Sequence, residues 1–268
     1  MEQHHFDIVN HATPRLESMD KALGRGKYTD DLELPNMACA ALVRCPYSHA
    51  KVLSIDVSEA EKVPGFLGCA LPEEAPQAYF NCSGNPPSPL LMADEKVLTT
   101  EPLTIGDRVA VVAAETEEAA RAAAEAVKVE YENLAPILDV KAALADNAPA
   151  MQPHLSDTNV VQRREVSQGD IAVGEEKSDI ILEDHFVTPP MQHTMIELTC
   201  CICDFSDGEH MTIYSCSQTV FQERRILAEL FGLKEVDVHI IKPLVGAGFG
   251  ARQQLHAQHA AALISRKI

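Results

Sequence analysis

The chain has 268 residues, 46% of them hydrophobic, enough for one or two domains with real cores. A formal net charge of −18 excludes nucleic acid and anionic membrane surfaces as partners. No run of about 18 apolar residues is present to span a bilayer. The opening MEQHHFDIVNHATPR lacks the apolar stretch of a signal peptide, so the expected location is the cytoplasm.

Residues 1–14 read as a flexible lead-in whose His4, His5 and His11 are solvated rather than metal-bound. A first α/β domain is expected over 15–134. Its pattern predicts strands at 38–44 and 51–57, a short helix start over 58–62 capped by Ser58, and a turn at Pro64-Gly65. FNCSGNPPSP (80–89) is punctuated as a loop, and a strand is expected at 107–114. Thr116 can cap a helix over 117–126, with Glu117 and Glu118 at the positive end of its dipole. A strand at 127–132 closes the alternation of strands and helices. Asp30, Asp31, Arg44 and His49 read as fold residues, since no triad or carboxylate pair in this half has catalytic spacing.

Residues 135–158, rich in Ala, Asp, Asn and Pro, form the expected linker, and 159–268 the second domain. Strands are predicted near 159–166 and 179–188, the latter ended by Pro189-Pro190. IELTCCICDF predicts a strand whose alternation separates Cys200, Cys201 and Cys203. With no C-x-x-C pair in the chain, the thiols are expected to act as small buried hydrophobes, and no iron–sulfur cluster is expected here. On a strand His193 and Glu197 would stand more than about 12 Å apart, which excludes a zinc pair. Asp207-Gly208 predicts a hairpin turn, and the returning strand 210–216 delivers Gln218.

The remainder reads as an amphipathic helix (SQTVFQERRILAELFGL), a strand (236–243), the loop GAGFGARQ and a second helix. Gly246, Gly248 and Gly250 allow a sharp turn and close approach to a ligand, and the helix that follows would offer free N–H groups to an anion. Gly246, Gly248 and Ala251 also fit the dinucleotide spacing G-x-G-x-x-[GA], but no acidic residue follows Ala251 to hold a ribose. Phe249 is also too bulky for a backbone lying against pyrophosphate. A nicotinamide or flavin site is therefore set aside.

The order Ser217-Gln218, a helix ending in Leu230-Phe231-Gly232-Leu233, a strand and GAGFGARQ resembles the molybdenum-binding subunit of the xanthine dehydrogenase and aldehyde oxidase family. That family shows a "TQ" turn, "LG", "VRV" and "GGGFGGK" in this order. The first half resembles its hammerhead domain through Lys21, Gly24, Tyr28, Thr29, Asp30, Asp31, Leu34, Pro35, Arg44, Pro46, His49, Ala50, Ile55, Asp56, Pro64 and Gly65, and through IGDRVAVVAAETEEAARAAAEAVKVEYENLAP. Gln192, His193 and Glu197 are similar to its "Q.H..ME", which implies structural roles.

The resemblance implies an α/β (α+β) fold, a hammerhead-type domain followed by an incomplete molybdopterin-binding α/β domain. It implies a cofactor-binding set of Gln218, Gly248, Phe249, Gly250 and Ala251, with Phe249 and Gln253 facing substrate and no protein ligand to the metal. Arg252 replaces the family lysine, keeping charge but changing geometry, and Gln253 replaces the acid of purine-oxidising relatives. The implied activity is oxidation of a heteroaromatic or aldehyde substrate with water as oxygen donor. The implied cofactor is molybdenum–molybdopterin, as the cytosine dinucleotide, with FAD and [2Fe-2S] on partner subunits. The family's general-base glutamate and most pterin contacts belong to a later portion of the subunit. The expectation is therefore a stretch with no catalytic residue of its own, inactive alone, whose unfinished sheet edge favours association with the rest of the subunit. The alternative is a non-catalytic split or vestigial subunit acting as an assembly module.

Overall fold

The computed structural model describes residues 6–83 and 92–268. Its first half is built around β4 (Arg108–Ala114), whose RVAVVAA sequence is apolar on both faces and almost wholly buried. Strands β1 (Cys39–Arg44) and β3 (Phe66–Ala70) flank it in an antiparallel sheet of order β1-β4-β3. A second ribbon pairs β2 (Ala50–Asp56) with β5 (Lys128–Asn133), also antiparallel.

Helix α1 (Glu117–Ala126) lies against β1 and β4. The Ala119 N–H donates to Thr116 Oγ1 at 3.2 Å, as expected of the cap. Ala120 and Ala123, both buried, let the helix approach the sheet closely. Ser58 is not a cap. The turn there is a 3-10 turn over Ala60–Lys62, and the Ser58 N–H donates to Asp56 Oδ1 at 2.9 Å.

Strand β3 carries little strand signal in sequence, because FLGCA contains no β-branched residue and has an internal glycine. The expected loop 80–89 is described only to Ser83, where Phe80 and Glu95 form a bridge with N–H···O distances of 2.9 and 3.1 Å. Residues 84–89 of it lie outside the described residues. His49 is structural, its Nδ1 lying 2.7 Å from Ala135 O, and Arg44 donates to Gly106 O at 2.8 Å.

The linker region is held down rather than slack. Asn159 donates to Ala143 O and Pro149 O and accepts from the Met151 N–H, while His154 stacks on Tyr79 with centroids 3.6 Å apart. Beyond it, the strands expected at 159–166 and 179–188 are absent. Apart from a short helix at Ile171–Glu176 the backbone there is irregular and the side chains are exposed. A strand needs a neighbouring strand to form its ladder, and among the described residues no strand pairs with either run.

Strand β6 (Cys201–Asp204) then pairs antiparallel with β7 (Met211–Ser215) through the Asp207-Gly208 turn, where Gly208 has φ +70°. Helix α2 (Val220–Phe231) ends on Gly232 at φ +66° and leads to β8 (Val238–Ile241), parallel to β7. Helix α3 (Gln258–Lys267) packs on β6 and reaches β3 and β4. One apolar core joins the halves, with Phe205, Ile213, Leu227 and Leu263 meeting Val97 and Val111. Lys267 ties the end of α3 to Cys69 O and Glu74.

The cysteines are all free thiols, and burial pushes Cys200 and Cys82 up to about 12. Cys201 and Cys203 pack on the shared core, while Cys200 precedes the strand and its carbonyl accepts from Cys216 Sγ at 3.5 Å. Among the described residues no His, Cys, Asp and Glu grouping could hold a metal. No described helix is long and apolar enough to cross a membrane.

Candidate functional site

Two short segments zip together at one end of the β6-β7-β8 sheet. One is the Ser217–Thr219 turn leaving β7, and the other the glycine-rich loop leaving β8. The Gln218 N–H donates to Arg252 O at 2.9 Å, and Thr219 Oγ1 donates to Gln253 O at 3.4 Å. Gln218 Oε1 accepts the Gly250 N–H at 3.2 Å. Its carbonyl end is thus committed to the loop, while its Nε2 group has no protein partner among the described residues.

The glycines have different causes. At Gly248 a Cβ would lie 2.3 Å from Gln218 Oε1 and 2.5 Å from its Cδ, so the amide can lie flat on the loop only over a glycine. At Gly250 the constraint is torsional, with φ +91°. Ala247 (φ +81°) and Phe249 (φ +48°) are left-handed without being glycine, a strain of about 1–3 kcal/mol each that marks functional loops. This backbone turns the Phe249 ring outward, 71% exposed. Loop amides also close internally, Ala251 N–H on Gly248 O at 2.9 Å and Gln253 N–H on Gly250 O at 3.1 Å.

The second helix does not open directly from the loop, as the sequence pattern predicts. A 3-10 turn (Ala251–Gln253) intervenes and α3 starts only at Gln258. Its own side chain occupies the entry: Gln258 Oε1 accepts the His256 and Ala257 N–H groups at 2.7 and 3.0 Å. An anion at the loop would therefore meet loop amides, not a helix terminus.

Beneath the loop lies a pair that sequence reasoning missed. Arg252 has a side chain 1% exposed, and its Nη1 pairs with Glu197 Oε2. Its Nη2 donates to Glu197 O at 2.6 Å, and the same Glu197 Oε2 accepts the Gly246 N–H. One carboxylate therefore holds both ends of the loop. A Cβ on Gly246 would stand 2.7 Å from Glu197 Cβ, which explains that glycine too. Residues 55 apart in sequence gave no local signal of pairing. The first half buttresses the entry to the loop, Leu244 N–H donating to Lys27 O at 3.1 Å beside the Tyr28–Leu244 bridge.

Behind the turn, Glu223 on α2 is 3% exposed. Ser215 Oγ donates to its Oε2 at 3.2 Å and in turn accepts from Gln258 Nε2 at 3.1 Å. Burial raises this carboxyl to about 7, a group the sequence pattern hid inside an amphipathic helix. His259, wholly buried with its ring edge-on to Phe80, is kept neutral by burial and by nearby Arg108.

The structure brings Gln218 together with Gly248, Phe249, Gly250, Ala251 and Gln253, with Ala251 buried and Gln253 exposed. It leaves Gln192 and His193 exposed in irregular chain. An open groove of about 350 Å³ lined by Leu42, Arg44 and Tyr131 belongs to the first domain and includes none of these residues.

Comparison with known proteins accounts for this arrangement. Residues 23–135 match the family described as aldehyde oxidase and xanthine dehydrogenase, a/b hammerhead domain, and residues 153–268 match the molybdopterin cofactor-binding domain. The chain belongs to the aldehyde oxidase and xanthine dehydrogenase family. It corresponds to the N-terminal portion of the molybdenum subunit, and its second domain is of the molybdopterin-binding type. The xanthine dehydrogenase molybdenum-binding subunit of Escherichia coli O157:H7 is 30% identical over 258 residues, 95% of this chain and 34% of that protein. The nicotinate dehydrogenase large molybdopterin subunit of Eubacterium barkeri is 28% identical, over 97% of this chain and 59% of that one. The aldehyde oxidoreductase of Desulfovibrio gigas superimposes with a TM-score of 0.84 at 25% identity, covering 94% of this chain and 28% of that one. The chain thus spans about a third of the length of the xanthine dehydrogenase subunit it matches.

Proposed function

We propose that this stretch forms one wall of the cofactor and substrate site of a xanthine-dehydrogenase-like molybdenum hydroxylase. The observation that carries the reading is Gln218, with Oε1 pinned by the Gly250 N–H and Nε2 without a protein partner. Such an amide donates a hydrogen bond to an acceptor oxygen of the cofactor without adding charge. When bound, the molybdenum–pterin group supplies two-electron oxidation with water as the oxygen source. This chain's residues bind and orient.

Phe249, beside Gln218, offers a ring face to a flat heteroaromatic or a small aldehyde. Gln253, neutral and exposed, offers no charge with which to hold an ionic substrate. Gly248 permits the close seating of Gln218, Gly250 lets the loop turn back on it, and Ala251 closes the turn onto Gly248 O. Arg252 is not a substrate group, since its guanidinium is buried against Glu197.

Neither buried acid serves as base: Glu197 is bound to Arg252 and Gly246, and Glu223 lies behind the turn. The base and the remaining pterin contacts come from the rest of the molybdenum subunit, with FAD and [2Fe-2S] subunits as electron acceptors. The cofactor form is the cytosine dinucleotide, the location is cytoplasmic, and the stretch alone is inactive. The test is turnover of the assembled subunit complex on a panel of N-heteroaromatics and aldehydes. Gln218→Ala is expected to lower kcat by about 10²-fold, the loss typical of one positioned donor. Unchanged kcat would remove Gln218 from the site.

A second reading, a non-catalytic assembly module, draws on the exposed apolar chain between the linker and β6. It predicts a stable complex that turns over nothing.

A further inference from the structure

The proposed function leaves one buried acid without a role. Glu223 on α2 meets both serines that flank Cys216, just before Gln218. Its Oε2 accepts Ser215 Oγ at 3.2 Å, while its Oε1, equally buried, makes no hydrogen bond. The Ser217 hydroxyl lies close enough to favour the ionised carboxylate, and its Oγ already accepts the Thr219 N–H at 3.0 Å. The groups around them have little freedom. Gln258 Nε2 donates to Ser215 Oγ at 3.1 Å, and its Oε1 is held by the His256 and Ala257 N–H groups, which fixes the orientation of the amide. His256 carries the network on to the glycine-rich loop, its Nε2 lying 2.8 Å from Ala251 O. Among the described residues no cation faces Glu223 from α2, β7 or α3, and its titratable neighbour is the Cys201 thiol of β6, which burial keeps protonated.

We propose that Glu223 is a positioning residue for Gln218, a buried acid whose proton keeps the Ser217–Thr219 turn seated on the glycine-rich loop. A neutral carboxyl has both a donor and an acceptor to offer. Oε2 takes the Ser215 hydroxyl, and the proton on Oε1 has Ser217 Oγ as its acceptor beside the Thr219 N–H. Loss of that proton leaves a carboxylate facing no cation in a site closed to water, which is costly. The charge is relieved by drawing the Ser217 hydroxyl round as a donor or by admitting water. Either change moves the residue that precedes Gln218. The bonds from the Gln218 N–H to Arg252 O and from the Gly250 N–H to Gln218 Oε1 loosen in consequence. Burial raises this carboxyl from its ordinary 4.5 to about 7. The seated state therefore belongs to the low-pH side and is lost as pH rises through about 7. The inference rests on the proposed function only in treating Gln218 as a group of the site.

The test is amide hydrogen exchange of the assembled subunit complex, with protection taken relative to unstructured-chain rates so that the ordinary pH dependence of exchange cancels. Peptides containing 217–219 and 248–252 should lose protection at least about tenfold between about pH 6 and pH 8, while those of β4 stay unchanged. Glu223→Gln keeps a donor and an acceptor in the same shape but cannot ionise, so it should hold the low-pH protection throughout. Ser217→Ala removes the acceptor of the proton and should show the weak, high-pH protection throughout. Glu229→Gln, on the exposed face of the same helix, should behave as the parent. Over the same interval kcat should fall about tenfold more in the parent than in Glu223→Gln. Protection flat with pH in the parent, or a fall that persists in Glu223→Gln or in Ser217→Ala, would each overturn the inference. Exchange and turnover together separate the two proposals. A complex that shows the pH-dependent protection but turns over nothing sinks the proposed function alone. A complex whose kcat drops with Gln218→Ala, yet whose loop protection ignores Glu223, sinks the positioning role alone.

Discussion

Replacing Glu197 by alanine removes the one carboxylate that holds both ends of the glycine-rich loop. Arg252 would keep its charge, 1% exposed, with only the carbonyls of Glu197 and Leu198 to face it. Breaking a buried pair from one side costs about 3–5 kcal/mol, because an uncompensated charge stays behind. The Gly246 N–H also loses its acceptor, adding about 1 kcal/mol. With an m-value of about 3 kcal/mol/M for a chain of this size in urea, the midpoint should fall by more than about 1 M. The double variant Glu197→Ala with Arg252→Met should be more stable than Glu197→Ala alone, since no buried charge is then stranded. Glu117→Ala, which breaks the exposed pair with Arg121, sets the scale for a surface bridge at less than about 0.5 kcal/mol. If Glu197→Ala costs no more than that control, the loop is not held by this pair and the account of Gly246 and Arg252 is wrong.

Further outcomes follow from the same geometry. Gly248→Ala should displace the Gln218 side chain, costing about 1–3 kcal/mol, and shift its side-chain amide resonances. A variant that leaves those resonances in place would contradict the close contact. Glu223, raised by burial from its ordinary 4.5 to about 7, binds its proton more tightly folded than unfolded. Its contribution is therefore full below about pH 4.5 and is lost as pH rises to about 7, a fall of about 3 kcal/mol. Glu223→Gln should flatten that window in denaturation profiles, and an unchanged profile would show that the carboxyl is not buried. Thr116→Ala should cost about 1 kcal/mol by thermal unfolding, the loss of one helix cap.

Where local chemistry decided structure, the sequence was legible. RVAVVAA reads as a strand, Thr116 before two glutamates as a helix cap, and Asp207-Gly208 as the hairpin turn, and the structure has all three. The pairing of Gln218 with the loop came through family motif order, and the loop glycines were readable as close approach. What escaped were effects of distance. The Glu197–Arg252 pair spans 55 positions, and Glu223 is buried only because α2 turns that side toward Ser215 and Gln258. β3 escaped because its residues have little strand preference and are held by β4. The run 179–188 failed in the opposite direction. Its composition is that of a strand, but a strand is a property of two chains side by side, and no described strand pairs with it.

The most direct test of the central claim is the molybdenum and cytidine nucleotide content of this chain purified in complex with the remaining subunit portion. The host must make the molybdenum cofactor. The account predicts stoichiometric metal and nucleotide in the parent complex and a marked loss with Gly248→Ala, which pushes Gln218 off the loop. A well-formed complex without either component would contradict the claim that this turn and loop form a molybdopterin site.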